Sequence, residues 1–355
     1  MERMLTLHEL TLGIQLVLIL VFLFILILLI YSFKKYKTEA NRQVWKDKID
    51  KYLMEVIVDG KPNDISISEE LISLCKRESF RRFFLSQLIG SERKFSGAAA
   101  AVLKSVFYTY NLDKEAYVLL RSNQSYLIAR GIQALTIMNV MDALPEIKTK
   151  LNHHSNLVIR EVQYSLVHFL GFEGLAFLNN TSILISDWQQ LRLLNSIKSL
   201  PIGANVNIKS WLYSGNVSTK LFALKLLRKF QVFEIHDELI AFLENVIIQV
   251  QTETVKTLFT IESGETTSLL VNNFQKFAEK TQIEIIKGLG KNRALDQIDF
   301  LKSQLEYHPI KQIKVHAAEA LSLLGEENYL IGLSRNLDHA DPTLLVLNHA
   351  LQTRL

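Results

Sequence analysis

The sequence predicts an all-α protein: an α-solenoid of about nine stacked helical hairpins preceded by one transmembrane helix. Three observations carry this. An uninterrupted apolar run, LVLILVFLFILILLIY, fills residues 16–31. Aliphatic residues then recur about every thirty-one positions along the rest of the chain. Finally, five prolines and fourteen glycines in 355 residues favour helices with short connections, and no segment alternates with the period of a strand.

The elements follow in chain order. Residues 1–11 form a short segment carrying Glu2, Arg3 and Glu9. Residues 12–33 hold no charge and span about 33 Å as a helix, enough for the hydrocarbon core of a bilayer. A cleavable signal would have a basic start, a shorter apolar run and small residues at the cleavage point. Here SFKKYK follows, so the run is expected to be a retained anchor.

Residues 34–64 form a basic juxtamembrane segment and linker. Over residues 34–51, Lys34, Lys35, Lys37, Arg42, Lys46, Lys48 and Lys51 stand against Glu39, Asp47 and Asp50, a net +4 that equals the charge of the whole chain. The positive-inside rule places the N-terminus outside and the rest in the cytoplasm, at the cell (inner) membrane. Each base near anionic lipid contributes about 1 kcal/mol. With the basic excess confined here, no nucleic-acid partner is expected. Within the segment, Trp45, Ile49, Leu53 and Val56 fall at helical spacing. That helix either lies on the bilayer or forms the first packed layer of the helical array. Asp59 to Asn63 break it.

Residues 65–355 are the repeat array. Leu103, Leu135, Val167, Ile197, Leu227, Leu258, Leu289, Leu321 and Leu351 recur at steps of 30 to 32, each after a small or aliphatic residue. Half a period away, ALPEIKTKL (143–151), DELIAFLENV (237–246), TSLLVNNFQKF (267–277) and LDQIDFLKSQL (295–305) form a second set of amphipathic helices. The unit is helix, turn, helix. One hairpin cannot bury both faces alone, so each must stack on its neighbours. The clearest pair is HPIKQIKVHAAEALSLLG (308–325) and HSNLVIREVQYSLVHFLG (154–171), in which His, an aliphatic-plus-base pair and a closing Leu-Gly share offsets.

The segment IKVHAAEALSLLG (313–325) resembles the second helix of a HEAT repeat, of the short bacterial type with the pattern V-R-x-x-A-x-x-A-L-x-x-L-G. The resemblance spans about residues 66–355 and implies a solenoid whose second helices line a protein-binding face. Two departures stand out. Asn156 and Asn216 replace the family's turn aspartate, and Lys220, Gln251 and Gln282 replace the V-R arginine. The family's Asp–Arg ladder is therefore expected to be mostly absent.

Little chemistry is expected on this scaffold, and no cofactor. His153-His154, His236 and His308/His316 lack convergent metal-ligand spacing and read as solvated turn histidines. Gly288-Leu289-Gly290-Lys291 lacks the glycine spacing of a phosphate loop and reads as a C-cap. Cys75, the single cysteine, reads as a small core residue. Two binding surfaces suggest themselves. Lys225, Lys256 and Lys287 recur at steps of 31, with Lys198 and Arg228 on neighbouring faces. They form either a groove for an acidic partner or an ordinary solubilising surface. Leu344, Leu345, Val346 and Leu347 cover most of one helix circumference, so they either dock a partner or a second copy, or are buried by a tilted last helix.

The function expected is a membrane-anchored, non-catalytic scaffold that binds a partner protein. The alternatives are an accessory subunit of an integral-membrane enzyme, such as an envelope glycosyltransferase, and an enzyme like HEAT-like bilin lyases or DNA glycosylases.

Overall fold

Several of the helical hairpins are closed by the same few hydrogen bonds. The computed structural model describes residues 7–59, 65–92, 95, 97–261, 264–336 and 342–352, and every regular element among them is helical. The chain divides into two compact units, Met1–Ser165 and Leu166–Leu355. The first holds α1 (Leu7–Asp59), α2 (Glu69–Cys75), α3 (Glu78–Glu92), α4 (Ala98–Thr109), α5 (Leu112–Leu120), α6 (Ser125–Ile137), α7 (Leu144–Lys148) and most of α8 (Asn156–Leu170). The second opens with a 3₁₀ segment, Gly171–Asn179. It continues through α9 (Asp187–Ser196), α10 (Ala204–Leu212), α11 (Val217–Phe230), α12 (His236–Ala241) and α13 (Ile248–Leu258). It closes with α14 (Thr266–Asn272), α15 (Glu279–Lys291), α16 (Ile298–Tyr307), α17 (Lys311–Leu323), α18 (Glu327–Asn336) and α19 (Pro342–Gln352). The array expected over residues 65–355 thus falls into two packing units.

Helix α1 has two chemically distinct halves. Thr11–Phe33, with mean hydropathy 3.3, is long and apolar enough to cross a membrane, and none of it is buried within the chain. Beyond it the same helix continues, and Ile49, Tyr52, Leu53 and Val56 are buried where α1 packs on α3 and α4. Trp45 meets Phe80 edge-on at 5.4 Å. The amphipathic stretch is therefore the first packed layer. The Gly60–Asn63 part of the expected break lies outside the described residues.

Stacking follows the second helices. In the second unit α11 packs on α13, α13 on α15, α15 on α17 and α17 on α19, so each helix walls the next. From Leu103 to Leu321 the aligned aliphatic row is at most 1% exposed at every position, and Leu351 is half-buried. Full burial of such a side chain contributes about 1.5–3 kcal/mol. The row has a second role at the helix ends. Asn139, Gln231, Arg293 and Gly325 adopt positive φ just past α6, α11, α15 and α17. The next N–H then returns to the aligned carbonyl: Val140 to Leu135 (2.9 Å), Val232 to Leu227 (3.1 Å), Ala294 to Leu289 (3.0 Å) and Glu326 to Leu321 (3.0 Å). These are Schellman closures.

They correct the expectation for Gly288, because α15 ends only at Lys291 and Arg293 supplies the left-handed residue. Gly288 is a packing glycine: a Cβ there would stand 2.2 Å from the Phe259 ring.

The start of the second helix is closed as regularly. Ser122, His153, Ser214, Asn245 and His308 each stand three residues before the helix and accept the N–H two positions on, at 3.2, 3.0, 3.1, 2.9 and 3.2 Å. This is the work of an Asx or Ser/Thr turn, shared here with histidine Nδ1. The structural equivalent of His308 is consequently His153, one residue before the histidine that letter alignment pairs with it.

The V-R position keeps a donor as well. Gln251 donates to the carbonyl of Leu243 (2.7 Å), Gln282 to Phe274 (3.1 Å) and Lys314 to Glu306 (2.8 Å), each eight residues back. These bonds engage carbonyls at the end of the first helix, where the intrahelical ladder runs out; that of Phe274 also accepts the Phe277 N–H at 3.2 Å. Where the family ladder would tie one repeat to the next, these side chains tie one hairpin to itself.

Candidate partner-binding groove

The side-by-side packing of α11, α13 and α15 places one face of each along a cavity of about 820 Å³ in the second unit. Lys225, Arg228 and Lys256 line it, whereas Lys287 is half-buried on α15 outside the lining. The cations do not stand alone. The Lys225 ammonium donates to Asp187 Oδ1 at 2.9 Å and Gln190 Oε1 at 2.8 Å, and its side chain is only 19% exposed. Lys256 stands between Glu253 (3.9 Å) and Glu284 (3.8 Å). Arg228 Nη1 lies 2.6 Å from Glu253 Oε1, an ion pair without the angle of a hydrogen bond.

Counting Lys280 and Glu279 at the start of α15, the lining holds four cations and three carboxylates. Like charges brought opposite such an alternation are costly. It is not a bare cationic strip.

The other predicted site residues scatter. Lys198 is exposed after α9 and close enough to His168 to depress its pKa, a shift dominated by burial with help from Arg192. Of the C-terminal four, Val346 and Leu347 are buried, Leu344 is half-buried and Leu345 is 67% exposed. In the juxtamembrane cluster Lys46 is exposed, Lys48 pairs with Glu70, Lys51 reaches Glu55 at 4.0 Å and Arg42 reaches Glu39 at 3.8 Å. The side chains of Lys34, Lys35 and Lys37 lie outside the described ones.

Two histidines are not the solvated groups expected from sequence. His308 is 7% exposed, because its Nδ1 caps the Ile310 amide and its ring stands edge-on to Phe274; burial pushes its pKa down. His236 is buried with Nε2 2.7 Å from Thr266 Oγ1. Cys75 is half-buried and its thiol is pushed up to about 11 by burial, with Arg81 opposing, so little thiolate forms at neutral pH.

A second cavity, about 700 Å³, escaped the sequence reading. It lies in the first unit and is lined by Arg42, Arg77, Arg82 and Arg130 together with Trp45 and Tyr126. The arginines come from α1, the turn before α3, α3 itself and α6. Their separations share no period, so nothing in the sequence links them.

No protein-family model matches this chain, and no curated protein matches it. Among solved structures it is similar to the X-ray structure of YibA from Escherichia coli, at 14% identity and TM-score 0.44, over 75% of this chain and 94% of that one. It is also similar to an engineered protein, at 16% identity and TM-score 0.38, over 80% and 88%. A third likeness is the complex of CpcE and CpcF of phycocyanin lyase from a Nostoc species, at 14% identity and TM-score 0.25, over 82% and 97%. At these scores the all-α helical-repeat fold stands on the chain's own packing.

Proposed function

We propose that this chain is a membrane-anchored, non-catalytic scaffold whose HEAT-like array holds a partner protein at the cytoplasmic face of the cell membrane. The observation that carries the reading is the continuity of α1. One helix runs from the apolar span into the first packed layer with no hinge between them. A span joined in this way fixes the height of the array above the bilayer, which a flexible tether would not do. The basic excess after the span supports the cytoplasmic orientation. The alternating charges along α11, α13 and α15 suit a folded partner of mixed surface charge.

The accessory-subunit alternative draws on the same helix, since the whole of Thr11–Phe33 is left uncovered by its own chain. Affinity purification from detergent-solubilised membranes separates the two. A partner retained by both the full chain and residues 34–355 supports the scaffold. One retained only with the span supports the subunit, and capture of none by either defeats both. Labelling of a cysteine placed at Lys280 by an impermeant reagent in intact cells would overturn the orientation.

A further inference from the structure

The arginine cavity of the first unit has a charge balance that its own chain does not settle. Arg81 and Arg82 share one buried carboxylate, Glu115, through Nε contacts of 2.9 and 3.0 Å. Arg82 also pairs with Glu78, and Arg42 reaches Glu39 only across 3.8 Å at the surface. Arg77 and Arg130 form no ion pair among the described residues. Four guanidiniums line the cavity, and two of them, Arg77 and Arg130, carry the positive charge that no carboxylate of the described residues pairs. No acidic residue lines it.

The rest of the lining joins the aromatic Trp45, Phe83 and Tyr126 to Asn41, Ser79, Ser86 and Leu127. Trp45 is held edge-on by Phe80 at 5.4 Å and against Phe83 at 6.0 Å, so its ring is fixed, and Tyr126 is 55% exposed. A cavity of about 700 Å³ is far larger than a bare phosphate needs and within the range of small-molecule pockets.

We propose that this cavity is a phosphomonoester-binding site, with Arg77 and Arg130 as the phosphate clamp and Trp45 and Tyr126 as the platform for the group that bears it. A phosphomonoester carries about −1.5 to −2 at neutral pH, which matches those two unpaired charges. The planar guanidinium fork engages phosphate oxygens in pairs. Arg82, already oriented by Glu115, adds a preset charge behind the clamp. An acidic peptide would call for cations spaced along an extended path, whereas these line a single cavity.

The phosphate can be lipid-borne or free. Arg42 lies nine residues beyond Phe33, about 14 Å along α1, so a phosphorylated headgroup standing out of the bilayer comes within reach if α1 spans it.

Titration calorimetry of the detergent-solubilised full chain tests this with three probes: dioctanoyl phosphatidic acid, glucose 6-phosphate and a hexaglutamate peptide. Binding of the phosphatidic acid alone assigns a lipid source, and comparable binding of both phosphates assigns a soluble one. Either supports the site. Arg77→Ala with Arg130→Ala should weaken the phosphate probe about a hundredfold, about tenfold for each clamp lost, with an unchanged thermal melt. The double Lys variant, which keeps charge without the fork, should fall in between. Phosphate binding undiminished in a folded double Ala variant overturns the proposal. So does binding of hexaglutamate with neither phosphate bound, or binding of no probe.

Discussion

Glu115 and Glu253 are both buried carboxylates that neutralise arginine, yet one lies behind its groove and the other within it. In the first unit Glu115 comes from α5, a first helix, and reaches Arg81 and Arg82 from the far side. The mouth of that cavity is left cationic. In the second unit Glu253 and Glu284 stand on the second helices themselves, among the lysines, and Asp187 closes over Lys225. Similar numbers of bases thus make a concentrated positive field in one unit and an alternating pattern in the other. The layer that supplies the acid decides which, and a charge count does not.

The contrast can be broken experimentally, and the largest effect is expected at Glu115. Glu115→Ala leaves two guanidiniums without their shared carboxylate. It should cost about 2–4 kcal/mol, towards the lower part of the range for broken buried pairs because both arginines reach solvent. Equilibrium urea unfolding reads this directly. A loss below that of the exposed pair Lys51–Glu55 would mean that Glu115 is not structural.

A smaller effect is expected with pH. Burial depresses the pKa of His308 and His168, both in the second unit. The folded-state pKa of each lies below its ordinary value of about 6.5, so as pH falls the unfolded chain takes up the proton first. Their contribution is fully present above that pH and is lost as pH falls through the folded-state value. His308→Asn keeps a side-chain acceptor at the turn, as Asn245 does, without a titrating ring. Thermal melts at pH 7.5 and 5.5 should show a smaller acid loss in this variant, and an equal loss would remove His308 from the account.

The smallest effect on stability is expected at the lysine row. Lys225→Ala removes a pair whose acid is mostly exposed, worth about 0–1 kcal/mol. Neutralising Lys225 and Lys256 together to Gln avoids setting new carboxylates against Asp187, Glu253 and Glu284, and should abolish partner binding while shifting the melt only slightly. Binding that survives the double neutralisation at low salt would return the row to ordinary surface.

The aligned row from Leu103 to Leu321 was legible in the sequence because burial and helix closure act on the same position and therefore repeat with the chain's period. The same periodicity located α11, α13 and α15 and put Lys225 and Lys256 on one face, since residues one repeat apart stack. The roles of His153, Asn245 and His308 were not legible. Three residue types accept the same amide, so the position is shared in geometry and not in letter. The Gln and Lys donors that replace the V-R arginine were visible only as departures until their carbonyl partners, eight residues back, were in place.

By itself, then, the sequence determined the helical class, the apolar span, the repeat length and the buried row, all of which depend on local periodicity and hydrophobic burial. Only the tertiary structure decided that Lys225 and Lys256 are matched by acids, that Gly288 makes room for Phe259, and that Arg42, Arg77, Arg82 and Arg130 share one cavity. Those outcomes depend on which side chains from distant turns meet across a helix packing, and electrostatic pairing falls off over a few ångströms that no sequence spacing records.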